Sequence, residues 1–139
     1  MLLSTQTHYF FEHFGYEKAL EMFADAGFDA LDVTLFKDLD TDPAFCDGYR
    51  DYAAELLEKA KECGIVFNQS HAPFPSYKAE DADYNTYIMP KIERAIEFSG
   101  MLGIKTVCVH PVTFRNEEQK QVDFNLELYS KLAPIAKKC

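Results

Sequence analysis

Apolar residues follow two rhythms along this chain. In short runs they recur at every second position or form a continuous block, the pattern of a strand; in longer runs they recur every third or fourth position, the pattern of one helical face. Strands are predicted over residues 2–7, 28–35, 65–70 and 104–109. The first helix is predicted from about Tyr16 to Asp25, carrying Tyr16, Ala19, Leu20, Phe23 and Ala24 on one side. A second follows a cap at Asp47 and buries Tyr49, Ala53, Leu56, Leu57 and Ala60. A third, from roughly Tyr84 to Leu102, buries Ile88, Ile92, Ala95, Ile96, Ser99 and Leu102, with Pro90 tolerable only in a first turn or as a kink. The fourth carries Phe124, Leu128, Leu132, Ile135 and Ala136, with Pro134 marking a kink near its end. The stretch from His8 to Phe14 fits neither rhythm and reads as an aromatic loop. The acids at Asp38, Asp40 and Asp42 read as a solvated turn, since they lack the glycine and closing glutamate of a calcium loop.

The order is therefore βαβαβαβα, which favours parallel strands joined by right-handed crossovers. The joint between helix and next strand repeats: a glycine, then a short apolar run, at Gly27, Gly64 and Gly103, in steps of 37 and 39 residues. Glycine suits the left-handed residue that closes a helix. Another such step falls near position 140, where a fifth strand is expected. The chain thus reads as one partial domain over 1–139, either the first half of a longer protein or a half-barrel that meets a second half-barrel or a second copy of itself. A small, open, doubly wound sheet is the alternative architecture.

Composition narrows the function classes. At 139 residues and 47% hydrophobic, the chain can bury a core and is not disordered. A net charge of -9 argues against a nucleic-acid or anionic-membrane surface, which requires clustered Lys and Arg. No apolar run reaches the ~18 residues of a membrane span, and Met1–Gln6 lacks the basic start and apolar stretch of a secretory signal. Cys46, Cys63, Cys108 and Cys139 form no CxxC pair or zinc-finger spacing; Cys63 and Cys108 read as small buried residues, and a reducing cytoplasm is the expected setting.

In parallel α/β folds ligands bind at the carboxyl ends of the strands. Polar groups collect there: Thr7 and His8 after the first strand, Asp32 and Thr34 on the second, Gln69 and His71 on the third, His110 on the fourth. His71 and His110 end successive repeats, each close to a proline. Neutral imidazole ligates borderline metals or polarises a substrate oxygen. No P-loop, GxGxxG, GxSxG or HExxH motif is present, so nucleotide binding and serine hydrolysis have no support.

The run Ala26-Gly27-Phe28-Asp29-Ala30-Leu31-Asp32, then Asn68-Gln69-Ser70-His71-Ala72-Pro73-Phe74, then Leu102-Gly103-Ile104 leading to Val109-His110-Pro111, resembles the xylose isomerase-like TIM-barrel superfamily. That group includes sugar and sugar-phosphate isomerases and epimerases and the endonuclease IV type of repair enzyme. The resemblance covers the whole chain as the first four units of an eight-unit barrel. It implies proton transfer beside the carbonyl of a sugar or sugar phosphate, assisted by a divalent metal (Zn, Mn, Mg or Co). Most of that metal's ligands, and the acid/base pair, are implied to lie on strands beyond Cys139. His71 and His110 match the histidines that bind zinc in the nuclease branch and lie nearer the substrate in the epimerases. His8, Asp32, His71 and His110 are accordingly the expected substrate contacts, and His71 and His110 the expected metal ligands; Asp32 stands where many members carry a glutamate. An abasic-site nuclease and a non-catalytic half-barrel assembly module are the rival functions.

Overall fold

The computed structural model describes residues 1–139. Its elements are β1 (Ser4–Gln6), α1 (His8–Asp25), β2 (Ala30–Thr34), α2 (Tyr49–Glu62), β3 (Val66–His71), α3 (Ala82–Met101), β4 (Val107–Cys108) and α4 (Glu118–Ala136). Three helices end in the same hydrogen-bonded turn. Gly27, Gly64 and Gly103 adopt φ of 83°, 71° and 74°. The residue after each glycine donates its N–H five positions back: Phe28 to Phe23, Ile65 to Ala60 and Ile104 to Ser99. This pairing satisfies helix carbonyls that would otherwise be orphaned, and an apolar contact accompanies it in the first copy, where the Phe23 and Phe28 rings meet edge-on at 5.6 Å. Each helix is thereby turned back toward the next strand at a fixed angle.

All four strands are parallel and lie in the order β1-β2-β3-β4, leaving β1 and β4 as edges. A doubly wound sheet would reverse its order at a switch point; this one proceeds in a single direction, as a barrel wall does. Leu31, Val33 and Phe67 face the helices and join Leu20, Leu56, Ile92, Ile96 and Phe98 in one buried cluster. The other face is polar, with Ser4, Gln6, Asp32, Asn68 and Gln69 lining an open hollow.

Several expectations give way. His8–Phe14 is not a loop but the first part of α1, because Phe10 can pack on Phe23 with ring centroids 4.7 Å apart. The helix is broken at Gly15, its one residue outside helical geometry (φ 72°, ψ 159°), and the expected start at Tyr16 falls just beyond that break. Asp47 does not cap α2; Gly48 does so in the left-handed region, and Asp42 instead caps a short 3-10 turn at Pro43–Phe45 by accepting the Ala44 N–H at 2.8 Å. Pro90 and Pro134 both lie inside continuous helices. The fourth strand shrinks to two residues, since only Val107 and Cys108 pair with β3.

One buried polar contact fastens β3 to α3. Ser70 and Ser99 are wholly buried, their hydroxyls 2.7 Å apart, and Ser99 also donates to the Ala95 carbonyl. Ser99→Ala leaves the Ser70 hydroxyl buried without that partner, at a cost of about 1–3 kcal/mol. Urea unfolding is expected to show that loss, and the double change Ser70→Ala/Ser99→Ala to recover part of it; an unchanged midpoint in Ser99→Ala would show that the pair does not hold the strand.

Candidate functional site

The carboxyl end of the polar face is organised by a one-residue irregularity. Leu31 pairs with Phe67, but the next residue, Asp32, pairs with Gln69, so Asn68 is an extra residue in β3. Phe67 faces the core, Asn68 and Gln69 both face the open side, Ser70 returns to the core, and His71 faces the open side. Strict alternation from Phe67 would have sent His71 toward the helices, because side chains change face at every residue. The bulge reverses the phase. Asn68 is held on the open side by the Ser4 hydroxyl, which donates to its side-chain oxygen at 3.1 Å.

His71, now on the open side, meets Asp32 on the neighbouring strand. Its Nδ1 lies 3.0 Å from each of the two Asp32 carboxylate oxygens. The Gln69 amide donates to Oδ2 at 3.0 Å. Both acceptors of Asp32 are therefore engaged within the protein, and its side chain is mostly buried. An Nδ1–H donor toward a carboxylate selects the tautomer whose Nε2 carries a free lone pair, the arrangement that prepares a histidine to bind a metal or a proton.

The remaining members come from β4 and the turn after it. Cys108 pairs with His71 in register, and His110 lies two residues further on the same face. The His71 and His110 rings stack with centroids 5.7 Å apart. One ring nitrogen of each and the Cys108 sulfur all lie within 4.8 Å of one another. Phe36 and Phe74 form a wall, with Phe74 4.9 Å from the His110 ring and Phe36 6.3 Å from that of His71. The His110 carbonyl accepts from the buried Ser76 hydroxyl at 2.9 Å, which fixes the backbone at the site.

Of the four residues singled out from sequence, the structure brings Asp32, His71 and His110 together. His8 stands apart on the first turn of α1, its Nε2 3.4 Å from Glu12 and its ring 6.5 Å from Phe36. The sequence predicts Cys63 and Cys108 to be small buried residues; both are only partly buried, and Cys108 belongs to the cluster. The spacing Cys108-x-His110 on a strand, two residues on one face, was the signal available for it.

No family model matches the sequence, and no curated protein sequence matches it. Solved structures do. A D-psicose 3-epimerase determined in the presence of D-fructose superposes with a TM-score of 0.70 at 17% identity, covering 99% of this chain and 49% of that one. A 3-keto-D-glucoside 4-epimerase from E. coli gives 0.65 at 17%, over 99% and 53%. A family 2 AP endonuclease from Brucella melitensis gives 0.61 at 15%, over 98% and 53%.

The chain has the fold of the first half of a TIM barrel.

It spans about half the length of the structures it matches. Within this half-barrel, Asp32 acts as the brace for His71. In Asp32→Ala the His71 ring loses its only side-chain acceptor, so long-range ¹H–¹⁵N spectra at neutral pH should show the Nε2-unprotonated form giving way to a mixture. Identical His71 nitrogen shifts in the two proteins would contradict the bracing role.

Proposed function

We propose that this chain is the first half of a divalent-metal-dependent isomerase or epimerase acting on a sugar or sugar phosphate. The observation that carries the reading is the braced His71 beside His110 at the carboxyl ends of parallel strands, above a hollow lined by polar side chains. Parallel barrels place their chemistry at that end. The polar hollow also differs from the packed apolar layers that usually fill such barrels, and it suits a hydroxylated ligand.

In this reading Nε2 of His71 and the His110 ring bind substrate oxygens or a metal, and Asp32 with Gln69 keeps His71 in one tautomer. Phe36 and Phe74 exclude water from one side. Two imidazole nitrogens and a sulfur fit zinc or cobalt, whereas magnesium and manganese prefer oxygen donors. A bound divalent metal supplies Lewis-acid polarisation of a substrate oxygen, which favours proton loss from the adjoining carbon. The other metal ligands and the acid/base pair fall to the half of the barrel beyond these four units. A sugar-processing role draws support from the epimerases among the structural neighbours. The AP endonuclease neighbour and the paired histidines favour a nuclease as the second reading, against which stands the net charge of -9.

The test is an isomerisation and epimerisation assay over a panel of ketoses and ketose phosphates, with each of the four metals. It compares the 139-residue chain with a protein in which a second four-unit half follows. Turnover is expected only with both halves, and His71→Ala or His110→Ala in the complete barrel is expected to lower kcat/KM by about 10²-fold or more, the scale on which loss of metal-site or acid–base groups acts. Ordinary turnover by the 139-residue chain, or unchanged kcat/KM in both variants, would overturn the reading.

A further inference from the structure

The two free edges of the sheet carry what the middle of the molecule does not. Of the central helices, α2 exposes no large apolar side chain and α3 only Tyr87, whereas the end helices expose Tyr9 and Phe14 on α1 and Val122 and Leu126 on α4. Leu3, just before β1, is 55% exposed. Because Ser4 and Gln6 line the open hollow, alternation puts Leu3 on the helix side. At the opposite edge an apolar hollow of about 550 Å³ opens between β4, α3 and α4, lined by Ile96, Ile104, Val107, Val109, Leu132 and Ala136. Backbone groups are left over as well. The carbonyls of Thr106 and Cys108 accept from β3 and its turn, so Val107 directs its own N–H and C=O outward; the Leu3 carbonyl and the Thr7 N–H are taken by β2, so Ser4 and Gln6 do the same. Charge differs between the edges. At the amino end of the sheet the β1 side exposes Asp25 and Asp29, and the β4 side exposes Lys105, Lys137 and Lys138.

We propose that this chain pairs with a second copy of itself, the β1–α1 edge of each seated on the β4–α4 edge of the other about a two-fold axis along the strands. Both edge strands are parallel to the rest of the sheet, so such a rotation sets β1 beside β4 of the second copy in the parallel sense, and does so twice. The contacts close on themselves instead of propagating. Four strands and four make eight, the number at which a barrel interior is filled by side chains, and two chains supply the length of one matching structure. Leu3 of one copy is then level with Ile104 and Ala136 of the other and fills the apolar hollow. Tyr9 and Phe14 face Val122 and Leu126, both pairs in the first half of their helices. Asp25 and Asp29 meet Lys105, Lys137 and Lys138, a complementarity that fixes which edge meets which. The net charge of -9 on each copy opposes the approach, but at about 0.15 M salt charges more than about 8 Å apart are largely screened. Pairing encloses the polar hollow and sets two His71–Cys108–His110 groups on opposite sides of one rim. It does not depend on the isomerase reading.

Sedimentation velocity of the 139-residue chain tests it, in buffer of about 0.15 M salt and over a wide range of concentration. A monomer–dimer equilibrium with a limiting mass of twice the chain is expected. Leu126→Asp changes a side chain that is 65% exposed and leaves the core untouched; because it acts at both contacts, it is expected to weaken pairing about tenfold or more. Ala54→Asp, on the exposed side of α2, is expected to leave pairing unchanged. Asp25→Lys is expected to weaken it, and Lys137→Glu added to the same chain to restore part of the loss. A monomer at every concentration, species that grow beyond two chains, wild-type pairing in Leu126→Asp, or no recovery in the charge exchange would overturn the inference. A monomer leaves the proposed function standing, because that function takes a different second half.

Discussion

The extra residue at Asn68 is the constraint on which the site depends. Side-chain direction in a strand has a period of two, so one inserted residue moves everything beyond it to the opposite face. Up to Phe67, β3 runs in phase with β2; after Asn68 it runs one residue ahead, and His71 arrives beside Asp32 and Cys108 instead of beneath α3. The helix side compensates with a small polar residue, Ser70, which finds Ser99 as its partner. The bulge therefore links two facts that look unrelated in the sequence: a buried serine pair and a partly buried histidine pair on the open face.

Glycine turns supply the coarser alignment. Each left-handed glycine at the end of α1, α2 and α3 returns the chain to the sheet with the same hydrogen bonds, so successive strands start level and finish level. Polar ends that start from equivalent joints arrive at one rim. The two long surfaces that result differ in kind. The concave side is hydrogen-bonded from Ser4 across Asn68 and from Gln69 through Asp32 to His71. The flank formed by β4, α3 and α4 is apolar, with Val107, Val109, Leu132 and Ala136 around a hollow of about 550 Å³.

Much of this was legible beforehand, for physical reasons that can be named. Gly27, Gly64 and Gly103 announce the joints because only glycine adopts φ near +75° without a Cβ penalty. Periodicity locates α2, α3 and α4, and the order of elements fixes parallel pairing. What stayed hidden depended on neighbours far away in the chain. Phe10 could not be recognised as helical until Phe23 was known to lie beneath it. The bulge leaves no local mark, since Asn68-Gln69-Ser70 is polar at all three positions and hides the loss of alternation. Cys108 looked like core because its flanking residues are valines; its register against His71 places it on the open face. Asp32 was visible as a polar group at a strand end, but its role as a brace required the position of Gln69.

Zinc located by anomalous scattering in crystals of the 139-residue chain tests the central claim most directly, that bulge, register and brace converge on one centre at the carboxyl rim. The expected result is a single peak bonded to His71 Nε2, the Cys108 sulfur and His110, with Asp32 still against Nδ1 of His71. A peak elsewhere, or none at these residues, would contradict that convergence.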